Sequence, residues 1–434
     1  MKALVSLRRA GASPVHRYRS SKGTSRDLGE RTSLTERTIF LWLLVLLNVV
    51  GMVMILSASS VESIQQYGTP WSVFEHQLLW VVIGTAAFVL VSRVDYRQWQ
   101  RFSVPILGIA CCLLMVVLVP GLGHHADGST RWVGAGPLKL QPSELAKLAF
   151  ILFGADLLAR RSEKIGEWRS CLRPFAIVMG FMSLLILKQP DMGTAMILVM
   201  AALGLLYLGE VPGRQLGFFG SAVVVAAVVF ALSAPYRRQR MTSFLHPFAQ
   251  RNNAGYQVVQ SLSALGSGHL WGVGLGAGRA KWGFLPNAYT DFIFTVIGEE
   301  LGVIGTLVIV GLFALLAVVG IRIARRSPDR FGMLLVGGVT CWVVGQAVVN
   351  MGTVVGLMPV TGVPLPFISY GGSSLVVMMI AMGMVFNVAG QSVGERSRGA
   401  GSHRSDREST RPAHVGRYAR RAGVTKRHLR AGRT

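Results

Sequence analysis

Long apolar runs separated by short polar segments form the main pattern of this chain. Of its residues, 51% are hydrophobic and only 15% are charged, whereas roughly a quarter of the residues of a soluble protein carry charge. A helix of about 20 apolar residues crosses a bilayer, so the runs predict an all-α, polytopic integral membrane protein with about ten transmembrane helices. They lie at residues 39–58, 76–93, 103–120, 143–159, 174–188, 191–209, 215–235, 292–322, 331–356 and 373–391.

Basic residues between the runs predict the orientation. Arginine and lysine follow the second, fourth, sixth and eighth runs, whereas residues 61–71 after the first run contain neither. Cytoplasmic loops of membrane proteins carry an excess of these residues. Both termini are therefore predicted to be cytoplasmic, and the first helix is expected to stay as an anchor.

The charge of the chain is concentrated in its ends. Residues 1–38 hold nine Lys or Arg against three acids and residues 395–434 hold twelve against three, so the tails carry +15 of the formal net charge of +24. Polar segments without apolar periodicity are predicted to be disordered. We expect tails at 1–38 and 393–434 around a membrane domain at 39–392. They would contact anionic membrane lipids or carry a partner-binding motif; nucleic acid is not an expected partner.

Two loops on the outer side are also basic, against the orientation rule. Residues 121–142 contain Arg131 and Lys139, and the large extracytoplasmic loop 236–290 contains six Lys or Arg. Long loops translocate whatever their charge, or these residues form an outward-facing surface that binds anions. A run of alternating glycines before Arg279 and Lys281 fits a diphosphate cradle or a flexible turn. The four cysteines have neither metal-ligand spacing nor an evident disulfide partner.

Carboxylates next to membrane runs are the candidates for chemistry. Asp291 stands between the basic loop and the eighth run. Glu144 and Lys147 are three residues apart on one helical face of an apolar run, where a charge is costly unless paired; they form a structural ion pair or line a substrate cavity. Asp191 is expected to cap the sixth helix. In a Pro- and Gly-rich segment, the hydroxyls of Ser369 and Tyr370 are candidates for binding sugar.

Six strings in this chain resemble the SEDS family (shape, elongation, division and sporulation). They are TDFIF with GEELG, RW with QPSELAKLA, QPDMGT, YQ with QSL, GVGLG, and GLMPVTGVPLPFISYGGSS. The resemblance covers about residues 40–392, and the order of the motifs is highly specific. GEELG, TSFLHPF and the long basic tails are more similar to the division branch, FtsW, than to the elongation branch, RodA.

The resemblance implies ten transmembrane helices and a peptidoglycan glycosyltransferase that acts on lipid II, an undecaprenyl-diphosphate-linked disaccharide-pentapeptide. It implies a class B penicillin-binding protein as partner, with other division proteins, in the bacterial cytoplasmic membrane at the division septum. The family's essential acid falls on Asp291. The candidate substrate-binding residues, from the motifs and from their chemistry, are Arg131, Trp132, Gln141, Glu144, Lys147, Gln257, Arg279, Lys281, Ser369 and Tyr370.

The chain departs from the family pattern near these motifs. His246 stands where an Asp commonly precedes the proline, and Tyr289 stands where His usually precedes the Thr-Asp pair. A usual Ser, Gln and Glu are replaced by Gly278, Ala280 and Asn287. Metal or hydrogen-bond roles of those positions in relatives are therefore not carried over to this chain.

The expected reaction joins two lipid-linked disaccharides at the outer face of the membrane. The 4-hydroxyl of the acceptor attacks the anomeric carbon of the donor, and Asp291 is the candidate general base. Diphosphate leaves without a general acid, so one carboxylate is enough, and a single displacement gives an inverted β-1,4 product. A divalent cation, Mg²⁺ or Mn²⁺, would assist the departure, but the sequence shows no dedicated multi-carboxylate metal site.

Three alternatives stay open at this point. The cavity could flip lipid II across the membrane, the chain could be a non-catalytic scaffold for division proteins, or Asp291 could serve only as a helix N-cap. A flippase needs access from both sides of the membrane, whereas the polar motifs gather on the outer side. This distribution favours the enzyme.

Overall fold

The computed structural model describes residues 22–120, 124–126, 129–134, 139–233, 246–250 and 255–409, with single residues 238 and 244. Within these residues, ten long helices form the membrane domain, one for each apolar run. The helical, polytopic fold class is confirmed. The ten are α1 (Lys22–Tyr67), α2 (Ser72–Arg93), α4 (Ser103–Val117), α5 (Pro142–Arg160), α6 (Arg173–Lys188), α7 (Met192–Leu208), α8 (Gly213–Leu232), α10 (Ile293–Arg325), α11 (Arg330–Val354) and α12 (Gly372–Ser409); the described residues also include the short helices α3 (Tyr96–Arg101) and α9 (Tyr256–Ser267).

Seven of the ten helices in the described part of the chain are long and apolar enough to cross a membrane, namely α1, α2, α6, α8, α10, α11 and α12. The other three helices do not meet these criteria because of their length or their charge. Helices α4 and α7 are apolar but have only 15 and 17 residues. Helix α5 has 19 residues and carries charged residues along its length. As predicted, α6 and α7 are separate helices, because Asp191 caps the start of α7.

Helix α11 lies at the centre of the bundle, packed against α10, α7 and α5. In α11, 67% of the apolar stretch is buried, whereas in α8 only 6% of the apolar stretch is buried. Close approach is possible because small residues face its neighbours: a Cβ on Gly337 would lie 2.3 Å from the side chain of Leu208 in α7. The central position of α11 matters because its polar side chains meet the candidate site.

Helix α10 is interrupted at Gly302, whose φ of +68° and ψ of −166° are not helical. The backbone oxygens that this break releases accept hydrogen bonds from the loop that precedes the helix. Backbone N–H groups of Val273 and Gly274 donate to the oxygens of Glu299 and Glu300 at 3.0 and 3.1 Å. The Gly-rich part of the large loop is thereby fixed against α10.

The remaining outer segments are short. Strands β1 (His124–Ala126) and β2 (Ser129–Trp132) form an antiparallel hairpin, which the sequence did not predict. The large loop contains α9, so it is partly helical within its described residues.

The helices continue into both predicted tails. Helix α1 begins at Lys22 and α12 ends at Ser409, so residues 22–38 and 393–409 are helical where disorder was expected. Extending an existing helix costs less than nucleating one, and neither stretch contains proline. The expectation for residues 1–21 and 410–434 lies outside the described residues.

Candidate active site

Asp291 lies in the turn immediately before α10 and is half-buried. The N-cap of α10 is Phe292, whose side chain makes no capping hydrogen bond. Asp291 therefore stands one residue before the N-cap position that the alternative role requires. Its backbone oxygen accepts a hydrogen bond of 2.7 Å from Nδ2 of Asn350 in α11, which ties the acid to the centre of the bundle.

The irregular segment 355–371, between α11 and α12, passes over Asp291. Gly362 in this segment has a φ of +67°, and a Cβ built on it would lie 3.3 Å from Oδ2 of Asp291. Irregular backbone at membrane depth persists only where protein or a wet cavity satisfies its polar groups. Side chains of α11 satisfy three of its carbonyls: Gln346 donates to Pro364 at 2.9 Å, Asn350 to Val363 at 2.8 Å and Thr353 to Pro359 at 3.2 Å.

Ser369 and Tyr370 lie in the same segment. Oγ of Ser369 accepts a hydrogen bond of 2.8 Å from the N–H of Leu365, so this buried hydroxyl closes a turn of the segment. The N–H of Tyr370 donates to the backbone oxygen of Tyr289 at 3.0 Å, and the two rings meet edge to face with centroids 5.6 Å apart. Tyr370 is thus held against Tyr289, which precedes Asp291 by two residues. Sugar binding by the hydroxyl of Ser369 or of Tyr370 stays a prediction.

The tyrosines beside Asp291 are protonated donors. Burial raises the pKa of Tyr289, and the carboxylate of Glu62 raises it further while accepting a hydrogen bond of 3.3 Å from the phenol. Burial also raises the pKa of Tyr370, with a smaller contribution from Tyr67. Both phenols therefore remain neutral at physiological pH.

Glu144 and Lys147 form a closed, buried ion pair in α5. Nζ of Lys147 donates to Oε1 of Glu144 at 2.7 Å and to Oε1 of Gln346 at 2.9 Å. The other carboxylate oxygen of Glu144 accepts a bond of 3.0 Å from Ser374 at the start of α12. The structural form of the pair is confirmed, and through Gln346 it supports the segment over Asp291. Contact of either residue with substrate stays a prediction.

Arg131 and Gln141 lie at the start of α7. The guanidinium of Arg131 donates to both backbone oxygens of the turn 189–190, and Nε2 of Gln141 donates to Oδ2 of Asp191 at 3.4 Å. Asp191 in turn accepts from the N–H and the hydroxyl of Thr194. The predicted capping role of Asp191 is confirmed.

Lys281 is buried away from Asp291. Its ammonium donates to Oε1 of Glu300 at 2.9 Å, to the backbone oxygen of Gly276 at 2.7 Å and to the hydroxyl of Ser57 at 3.2 Å. Glu300 lies in α10, seven residues or about 10 Å of helix beyond the first residue, Ile293, whereas Asp291 precedes the helix. Lys281 thus already has three protein partners, and its contact with a substrate diphosphate stays a prediction.

The two amides that follow the alternating glycines bind a carboxylate of the protein itself. The backbone N–H groups of Arg279 and Ala280 donate to the side chain of Glu299 at 2.8 and 3.0 Å. Binding of a diphosphate by the glycine run itself stays a prediction, and the side chain of Arg279 is exposed. Gln257 lies in the first turn of α9 and Trp132 ends β2, and both are half-buried.

Some residues of the site were not identified from the sequence. Gln346, Asn350 and Thr353 recur at helical spacing in the ninth apolar run, and polar residues inside a membrane run are expensive and often functional. That spacing could have identified them. The contacts of Glu62 and Ser57 carry no such signal, because their partners are more than 200 residues away in the sequence.

The described residues contain no cluster of three or more His, Cys, Asp or Glu side chains that could hold a metal ion. Asp291 is the carboxylate proposed for the chemistry of the candidate site. Mg²⁺ typically binds one or two carboxylates together with substrate phosphates and water. The residues present fit such a shared ion but not a cage made by the protein alone.

A known protein family matches nearly the whole membrane domain. Residues 37–393 match the family of FtsW, RodA and SpoVE, described as cell cycle proteins. The chain belongs to this family. The SEDS resemblance of its motifs is thereby confirmed over nearly the whole membrane domain.

Two relatives and one solved structure show how closely this SEDS chain resembles known members. A probable peptidoglycan glycosyltransferase FtsW of Geobacter metallireducens is 39% identical over 353 residues, covering 81% of this chain and 94% of the relative. Stage V sporulation protein E of Bacillus subtilis is 39% identical over 344 residues, covering 79% and 94%. A solved peptidoglycan synthase complex that coordinates polymerization and crosslinking contains a chain with 27% identity and a TM-score of 0.68, covering 81% and 97%.

Proposed function

We propose that this chain is a peptidoglycan glycosyltransferase that polymerises lipid II into β-1,4 glycan strands at the outer face of the bacterial cytoplasmic membrane during cell division. Membership of the SEDS family and the names of its relatives support the activity. The observation that supports the mechanism is the position of Asp291, in the turn before α10 and directly under Gly362 of the segment 355–371.

Asp291 acts as the general base. The 4-hydroxyl of the acceptor sugar is a poor nucleophile, and its proton passes to the Asp291 carboxylate as the oxygen attacks C1 of the donor. The bond between C1 and the phosphate oxygen breaks, and undecaprenyl diphosphate leaves with the electron pair. Attack from the face opposite the leaving group converts the α-linked donor into a β-1,4 product.

Charge on the departing diphosphate requires cations. Arg279 has an exposed side chain, and Arg131 lies beside the turn that leads into α7, so these guanidinium groups are the candidates for stabilising it. Asp291 is the residue that would hold a divalent cation, which would supply further positive charge to stabilise the departing diphosphate. Trp132, Gln141, Gln257, Ser369 and Tyr370 are proposed to contact the sugars and the phosphates.

The proposed partner is a class B penicillin-binding protein, which crosslinks the glycan strands. The likeness to a chain of a peptidoglycan synthase complex supports it. We place the protein at the division septum with other division proteins, with both termini in the cytoplasm and with the basic tails against anionic membrane lipids.

The activity is tested by incubating the purified protein with lipid II, with and without a class B penicillin-binding protein. We expect glycan chains that a muramidase specific for β-1,4 bonds digests, with release of undecaprenyl diphosphate. The contradicting result is an absence of chains in every combination, together with translocation of lipid II headgroups in liposomes, which would indicate a flippase.

A further inference from the structure

A polar stripe on α11 joins the helix core to the candidate site. Gln346, Asn350 and Thr353 lie on one face of the helix, since residues three and four apart are neighbours, and all three are at most 5% exposed. Each of them donates to at least one backbone carbonyl outside α11. Since a buried polar group is costly without a partner, the stripe is stable only while those carbonyls stay in place.

Asn350 differs from the other two because it reaches both halves of the site. Its Nδ2 donates to the backbone oxygen of Asp291 at 2.7 Å and to that of Val363 at 2.8 Å. One amide group thus connects the acid's own backbone to the segment that carries Gly362. The Oδ1 atom of Asn350 is buried without a hydrogen-bond partner among the described residues. The side-chain amide is therefore held by the two hydrogen bonds that its Nδ2 donates.

Backbone bonds inside the turn also hold the residues around Asp291. The N–H groups of Thr290 and Phe292 both donate to the oxygen of Asn287 at 3.2 Å. Asn287 has a φ of +58°, in the left-handed region that is uncommon for residues with a Cβ. The bond from Asn350 adds a connection from the Asp291 backbone to α11, so it constrains where the carboxylate stands.

We propose that Asn350 is a positioning residue, which holds the backbone of Asp291 in register with the segment over it so that the carboxylate meets the acceptor hydroxyl. The proposal rests on the proposed glycosyltransferase function. Reaction requires the base within hydrogen-bond reach of the proton it removes, and a misplacement of about 1 Å can cost 100-fold in rate.

The test compares Asn350→Leu, which keeps a similar shape but has no donor, with wild type. We expect kcat for lipid II polymerisation to fall about 100-fold, with KM changed less than about twofold, because the substrate-binding side chains remain. Hydrogen–deuterium exchange of residues 287–295 and 359–366 should increase. Asn350→Ser, which keeps one donor, should give intermediate values and serves if the leucine variant does not fold.

Asn387→Leu is the matched control. Asn387 in α12 also joins two backbone groups of another segment, since its Nδ2 donates to the oxygen of Ser92 and its Oδ1 accepts from the N–H of Tyr96. It lies far along α12 from the start of that helix, so this variant should keep kcat and leave exchange near Asp291 unchanged.

Two results would overturn the proposal. One is unchanged kcat and unchanged local exchange in the Asn350 variants; the other is an equal loss of kcat in the Asn387 variant, which would show a general effect of removing a buried amide. If wild type makes no glycan, the proposed function fails, and the exchange comparison still decides whether Asn350 holds the Asp291 segment.

Discussion

Gly362 lies directly over the carboxylate of Asp291, with 3.3 Å between Oδ2 of the acid and the position that a Cβ on the glycine would occupy. The φ of Gly362 is +67°, which glycine adopts at no steric cost. Both the conformation and the lack of a side chain therefore bring the backbone close to the acid.

Gly362→Ala is expected to reduce polymerisation strongly, because the new methyl group would stand where the acceptor hydroxyl approaches Asp291. Gly68→Ala is the control, since Gly68 has a φ of +74° and nothing within 4 Å of its would-be Cβ. Both variants should lose about 1–2 kcal/mol of stability from the left-handed backbone. The rate of lipid II polymerisation should fall only for Gly362→Ala. Full activity of that variant would show that the segment 355–371 is not part of the active site.

Lys147→Met is expected to destabilise the protein by about 3–5 kcal/mol, because it leaves Glu144 charged, buried and unpaired. Thermal unfolding in detergent measures the loss. Replacing both partners, Glu144→Leu with Lys147→Met, should recover part of it. Arg97→Met removes a pair with Asp329 whose side chains are 45% and 34% exposed, so it should cost no more than about 1 kcal/mol; equal losses would contradict the burial argument.

Lys281→Met is expected to act on stability rather than on substrate affinity. The buried carboxylate of Glu300 would lose its cation and keep only the hydroxyl of Ser57. Unfolding temperature should drop and hydrogen exchange of residues 268–281 should rise, while KM for lipid II stays within about twofold if no catalytic contact is lost. A stable variant with a strongly raised KM would instead identify Lys281 as a diphosphate ligand.

Alkaline pH should destabilise the region around Tyr289. Its pKa is raised above the ordinary value of 10.0 by burial and by Glu62, so the unfolded chain loses the phenolic proton first. The stabilising contribution is complete below pH 10 and is lost as the pH rises through the raised pKa. Unfolding measured between pH 8 and about 11.5 should show a steeper decline for wild type than for Tyr289→Phe; parallel curves would contradict this assignment.

The sequence predicted the helices because their signals are local. The ten apolar runs and the cap at Asp191 depend on neighbouring residues alone. The i, i+3 spacing of Glu144 and Lys147 likewise predicted their ion pair, since it needs only one helix.

Contacts between distant segments could not be predicted. The packing of helices and loops determines three such contacts. They are the bond from Asn350 to Asp291, the pairing of Lys281 with Glu300, and the bonds from two loop amides to Glu299. The break at Gly302 is similar, because a single glycine in an apolar run does not reveal the loop that satisfies the released backbone. Chemistry-bearing residues could therefore be identified from the sequence, but their partners in distant segments could not.

The most direct measurement compares polymerisation of lipid II by wild type and Asp291→Asn, each with the cognate class B penicillin-binding protein, alongside their unfolding temperatures. Asparagine has nearly the shape of aspartate but cannot accept the proton. We expect glycan chains from wild type, none from the variant, and unfolding temperatures that agree within a few degrees. Chains of normal length and rate from Asp291→Asn would contradict the assignment of Asp291 as the base.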